Sequence, residues 1–135
     1  MDMKKQKTTW ITSAVAVIAV TVLVSAMPGS EIMTQNKDTA IVNTEQLGKH
    51  VKGFRNATPV KIFIHKNKVV KIEALPNQES PKFFNRAKAL LTSYTGKSVG
   101  KAAKMEVDGV SGATYSSNAL KKNVQLGLNY YKQRQ

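Results

Sequence analysis

The chain has 135 residues, 21 lysines and arginines against 8 aspartates and glutamates, a formal charge of +13, 7% aromatic residues and no cysteine. A chain of this size supports one modest core and excludes a multidomain enzyme or a disulfide-stapled scaffold. Thiolate nucleophiles, iron–sulfur clusters and cysteine-type zinc sites are excluded too, and two lone histidines, His50 and His65, are poor material for a metal cage.

Residues 8–27, TTWITSAVAVIAVTVLVSAM, carry no charge, follow Lys4, Lys5 and Lys7, and precede the breakers Pro28 and Gly29. At about 1.5 Å rise per residue, a helix of that length spans roughly 30 Å, the hydrocarbon thickness of a bilayer. The basic flank before the span and Trp10 at its start predict a single membrane-spanning anchor with the amino terminus in the cytoplasm and everything after Pro28 outside. The competing reading is a cleaved signal peptide, because Val24-Ser25-Ala26 resembles a small-residue processing site. Either way the remainder is exported.

Without residues 1–27 the chain keeps 18 Lys+Arg and 7 Asp+Glu, spread from Lys37 to Arg134. A nucleic-acid arm would gather its charge in a block, so no nucleic-acid partner is expected. Scattered basic charge on an exported protein points to an anionic membrane face, a negatively charged partner or plain solubility.

The chain divides into residues 1–28, the anchor or signal segment; residues 29–44, a polar stretch without sustained period that reads as a juxtamembrane linker; and residues 45–135, the compact domain. Val60, Ile62 and Ile64 alternate with polar or outward positions, as do Val70, Ile72 and Ala74, on either side of Lys66-Asn67. This two-residue period predicts a β-hairpin with one buried face. Ser80-Pro81 opens a helix carrying Phe83, Phe84, Ala87, Leu90, Leu91 and Tyr94, which ends before Gly96. Met105-Glu106-Val107 reads as a short strand, and Leu120, Val124, Leu128 and Tyr131 give an amphipathic helix from Ser117. The expected fold is a small α+β domain, an antiparallel sheet packed with helices.

The stretch Asp108-Gly109-Val110-Ser111-Gly112-Ala113-Thr114-Tyr115-Ser116-Ser117 has small residues at four of the six positions from Gly109 to Thr114, then hydroxyls at the mouth of a helix. Glycines permit tight turns and close approach, and a helix start offers free amides and a dipole that favour phosphate. A plain turn with Ser116 or Ser117 as helix cap fits the same residue types.

Asp108 to Thr114, read as Asp-x-x-Ser-Gly-Ala-Thr, resembles the flavinylation motif of the FMN-binding domain in the extracytoplasmic flavin subunits of sodium-pumping NADH:quinone reductases and Rnf-type complexes. The resemblance runs from about Gly53 to Tyr131, through Gly53-Phe54, the hairpin, the middle helix, the motif and the closing helix. In that family a flavin transferase uses FAD to attach FMN, through its phosphate, to the Thr hydroxyl. The resemblance thus implies covalent FMN on Thr114, with Asp108, Ser111, Gly112 and Ala113 at the other motif positions and Tyr115 flanking the flavin. Between hairpin and helix many members carry a Glu-Thr-Pro-Gly type segment, and this chain departs from it with Asn77-Gln78-Glu79-Ser80-Pro81-Lys82.

On that basis the chain is expected to be a membrane-anchored extracytoplasmic flavoprotein that passes electrons to or from a membrane redox partner. An electron-carrier module is expected rather than a self-contained enzyme, since the sequence shows no substrate pocket or second catalytic set, and activation of the Thr hydroxyl falls to the transferase. Lys104, Lys121 or Lys122 are candidates to hold the phosphate. Phe54, Phe83, Phe84 and Tyr94 read as core, with Phe54 the one most suited to stack on the ring. Two other readings are a cofactor-free basic envelope protein that binds an anionic partner, and an extracytoplasmic reductase whose flavin acts on a small acceptor.

Overall fold

The computed structural model describes residues 31–134. The expected anchor and the processing site at Val24-Ser25-Ala26 lie outside the described residues. Among the described residues no helix is long and apolar enough to cross a membrane.

Four strands pair antiparallel in sequential order: β1 (Met33–Asn36), β2 (Thr39–Asn43), β3 (Val60–His65) and β4 (Lys68–Ala74). They are followed by α1 (Pro81–Ala87), which tightens into a 3₁₀ segment over Lys88–Tyr94, then α2 (Val99–Lys104) and α3 (Thr114–Gln133). The α+β architecture is the one the sequence pattern predicts. The compact unit begins at Ile32, not near Glu45, because residues read as linker supply β1 and β2. Within β2, Ala40 and Val42 are buried against the helices. Five residues, after a turn through Lys37 at φ 57°, are too few to stand out as a period in sequence.

The second hairpin stands where expected, and its two turn residues, Lys66 and Asn67, both have positive φ (50° and 62°), the backbone twist that matches flanking strands. A bulge changes the inward set of β4. Ile64 pairs with Val69 while Phe63 pairs with Lys71, so Val70 is the extra residue. Val69 goes to the core at 1% exposure and Val70 faces outward at 47%, a correction to the alternation that placed Val70 inside.

Pro81 opens α1 as predicted, and Phe84, Ala87, Leu90, Leu91 and Tyr94 are buried along the helix and its 3₁₀ continuation, whereas Phe83 is exposed. Helix α2 is capped by Ser98, whose Oγ accepts from Lys101 N at 3.3 Å. It buries Val99, Ala102 and Ala103, and this element was not expected from sequence. Met105-Glu106-Val107 is not a strand: it pairs with no neighbour and buries only Val107.

The closing helix starts at Thr114, three residues before its expected start, so Ser116 and Ser117 lie inside it and are buried. Two features hold α3 on the sheet. Gly127 leaves a backbone surface on which a Cβ would meet Thr44 Cγ2 at 2.9 Å and collide with Ile62. Asn123, fully buried, accepts from Thr44 Oγ1 at 2.9 Å and donates to Ala119 O at 3.0 Å and, at 3.5 Å, to Thr58 Oγ1. Thr44 Oγ1 in turn accepts from Val60 N at 2.9 Å. Among the described residues every buried side-chain polar atom has a partner.

Truncating Asn123 leaves Thr44 without its acceptor and opens a small void, so Asn123→Ala should cost about 2–3 kcal/mol. The loss would be read as a lower urea midpoint at unchanged slope.

Candidate functional site

Three segments far apart in sequence meet around a cleft of about 390 Å³: the loop at Phe54, the entry to α1 at Glu79-Ser80 with Phe83, and the motif turn from Gly112 to Ser116. Its volume lies in the range of about 300–1,000 Å³ usual for small-molecule sites.

Glu79 ties these segments together. Its Oε1 accepts from Phe54 N and from Ser116 Oγ, both at 2.7 Å, and its Oε2 accepts from Arg55 N at 2.7 Å and Asn56 N at 3.2 Å. Burial alone would push the Glu79 carboxyl above its usual range. The hydrogen bonds from Ser116 and from the backbone of Arg55, Phe54 and Asn56 outweigh it and hold the carboxyl below 4.5. Gly53 makes room for this arrangement, since a side chain there would collide with the Glu79 carboxylate.

The motif turn is built on the start of α3. Gly112 sits at φ +81°, a left-handed conformation that favours glycine. Ala113 N donates to Val110 O and Val110 N donates to Ser117 Oγ, each at 3.0 Å, which folds the turn back onto the first helical turn. Ser117 thus braces the turn instead of capping the helix. Ala113 occupies the cap position and offers no side-chain acceptor, so the first-turn amides of this 20-residue helix have no side-chain cap. The exposed Thr114 hydroxyl stands on that turn, where the helix dipole favours a negative group.

The described residues expose four large hydrophobic side chains: Phe54 (71%), Phe83 (44%), Tyr115 (65%) and Val70. Three of these line this one cleft. The Phe54 and Tyr115 rings have centroids 5.8 Å apart and are tilted by 54°. Exposed aromatic surface concentrated in one place suits a planar ligand.

Among the motif residues, Gly112, Ala113, Thr114 and Tyr115 line the cleft, whereas Ser111 and Asp108 do not. Ser111 contributes its carbonyl, which accepts from Arg86 Nη2 at 3.1 Å. Asp108 is exposed ahead of the turn. Lys104, Lys121 and Lys122 also lie outside the cleft lining, and Lys121 Nζ is engaged with Val107 O at 3.0 Å. The cation beside the motif is Arg86, whose guanidinium lies 3.6 Å from the place a Cβ on Gly112 would take.

The sequence reading assigned Phe83 to the core and Ser116 to a helix cap, and it gave no role to Glu79 or Arg86. Phe83 and Phe84 are neighbours about 100° apart around the helix, and Phe84 is the one that faces the core while Phe83 faces the cleft.

A model of the FMN-binding domain matches residues 53–129, more than half of the chain. The match runs from the loop that Glu79 holds into the last turns of α3. The comparison with curated proteins finds no match.

Because its folded-state carboxyl is held low, Glu79 contributes stability above about pH 4.5, and that contribution is lost as pH falls through its depressed folded value. The expected outcome for Glu79→Gln is lower stability at neutral pH and a flatter acid limb, measured by urea midpoints across the acid range.

Proposed function

The chain belongs to the FMN-binding domain family, and from that premise we propose that it is a membrane-anchored extracytoplasmic flavoprotein carrying FMN in phosphate-ester linkage on Thr114. In this reading it passes electrons between a membrane redox partner and an acceptor outside. The observation that carries it is the coincidence of three exposed aromatic rings with an accessible hydroxyl on an uncapped helix start.

The residues present fit the two chemical halves of FMN. Phe54, Phe83 and Tyr115 supply apolar surface for a flat aromatic ring. The first-turn amides of α3, the dipole behind them and the guanidinium of Arg86 supply the positive field that a phosphate requires. When bound, FMN supplies one- and two-electron redox chemistry. The protein's share is to hold and orient it.

Attachment is a group transfer. A bond forms between Thr114 Oγ1 and the FMN phosphorus of FAD, the phosphoanhydride bond breaks, AMP leaves, and the Thr114 proton passes to solvent or to a base of the transferase. Among the described residues that line the cleft the one carboxylate, Glu79, already accepts four hydrogen bonds, so the base for the step falls to the transferase. The same commitment of Glu79 favours an electron carrier over an enzyme that moves protons on a small substrate.

Coexpression with a flavin transferase should raise the intact mass by one FMN less water, and Thr114→Ala should abolish both that increment and in-gel flavin fluorescence. Full labelling of Thr114→Ala would refute the assignment. In the chain from its native membrane, the same mass also reports whether residues 1–26 are retained. Replacing Phe54 and Tyr115 together by Ala should preserve the adduct and raise flavin emission, because aromatic contact quenches it.

A further inference from the structure

The cleft accounts for three of the four large hydrophobic side chains that the described residues expose, and the fourth, Val70, lies on the sheet. The strand register groups Thr34, Ile41, Phe63 and Lys71 across one row of the outer face, the face opposite the core. The rows on either side bring His65 and Lys68 to one flank and Lys61 and Glu73 to the other. The bulge in β4 adds Val70 to this face, where an unbulged strand would have buried it. Ile41, Phe63 and Val70 line a hollow of about 450 Å³, and the Lys71 ammonium lies 4.6 Å from the Phe63 ring centroid.

We propose that this outer face, with Ile41, Phe63 and Val70 framed by Lys61, Lys68 and Lys71, docks onto the anionic headgroups of a lipid bilayer. The inference rests on the anchored, extracytoplasmic reading given above. Charge supports it: the adjoining turns add Lys37 and Lys66, and only Asp38 and Glu73 oppose these five lysines. The type of cation supports it as well. The three arginines of the chain, Arg55, Arg86 and Arg134, all belong to other segments. Lysine is a flexible point charge suited to a diffuse layer of headgroups, whereas protein interfaces concentrate their energy in Arg, Trp and Tyr.

Chain length supplies the third argument. Between the end of the apolar segment at Met27 and the first residue of β1, Met33, there are five residues. Fully extended, they reach at most roughly 18 Å, whereas a linker of sixteen residues would allow roughly 55 Å. Headgroup attraction acts within a screening length of about 8 Å at physiological salt, and a tether of five residues makes such close approach more frequent than one of sixteen would.

The test uses the full chain in lipid nanodiscs. The chain has no cysteine, so Val70→Cys can carry a single nitroxide, with Asn129→Cys on exposed α3 as reference. In discs of phosphatidylcholine and phosphatidylglycerol, the label at position 70 should be shielded from a water-soluble nickel chelate. In phosphatidylcholine alone it should be accessible, and the label at position 129 should be accessible in both. Replacing Lys61, Lys68 and Lys71 by Gln should lower the docking constant by roughly two orders of magnitude, the equivalent of about 1 kcal/mol for each charge.

Equal accessibility at position 70 in both lipids would overturn the proposal and leave the flavin reading standing, because the adduct mass at Thr114 is measured separately. Shielding in native membranes but not in protein-free anionic discs would assign the face to an acidic protein and overturn it too. Failure of the chain to enter discs would overturn the anchored reading and this inference with it.

Discussion

A carboxylate that accepts four hydrogen bonds from protein donors organises the candidate site. Glu79 is the residue before the cap of α1, yet its bonds run to the backbone of residues 54–56 on one side and to Ser116 in the first turn of α3 on the other. Hydrogen bonds to a charged acceptor are individually worth about 1.5–3 kcal/mol, and leaving such a group buried without them costs more than they contribute. The loop bearing Phe54 and the helix start bearing Thr114 and Tyr115 are therefore fixed by a shared partner, and the Phe54 and Tyr115 rings also meet directly.

The far side of that partnership depends on where α3 lies. Its buried stripe of Leu120, Val124, Leu128 and Tyr131 would accept a range of positions on an apolar sheet, because hydrophobic contact is not directional. Asn123, the Gly48 that faces it and Gly127 on the same helix narrow that range. Thr44, Thr58 and Val60 N form a polar ladder that Asn123 completes in one register, and Gly48 has no side chain because one would collide with the Asn123 amide. Gly127, one turn further along, permits the close approach to Thr44 and Ile62. The position of Thr114 is thus set by contacts well down the same helix.

How much of this was legible follows from how local each signal is. The hairpin at residues 60–74 and the stripe on α3 are carried by side-chain periods within one element, and they stand as read apart from Val70 and the helix start. Val70 could not be placed from its own strand, because a bulge is a property of pairing between Phe63, Ile64 and Val69. The β1–β2 hairpin and α2 are too short to show a period, and they owe their order to tertiary contact. At the site, Tyr115 was singled out because it follows Thr114, and it lines the cleft. The tie from Glu79 to Ser116 spans 37 residues and has no local signature. The arginine beside the motif was likewise hidden, since only the packing of α1 against the motif turn separates Arg86 from the many exposed lysines.

The site stands apart from the core that supports it. The largest fully buried side chains, Ile62, Ile64, Leu120 and Leu128, do not line the cleft, and every buried side-chain polar atom among the described residues is already satisfied by protein. Folding therefore depends on burial along the sheet and α3, while the rings of Phe54, Phe83 and Tyr115 contribute little to it in their exposed positions. A group attached at Thr114 need not be threaded into a core or wait for a strand to open. On the proposed reading the acceptor is the helix start itself, braced from two sides by Ser117 and Glu79 and left open by a cap residue that is an alanine.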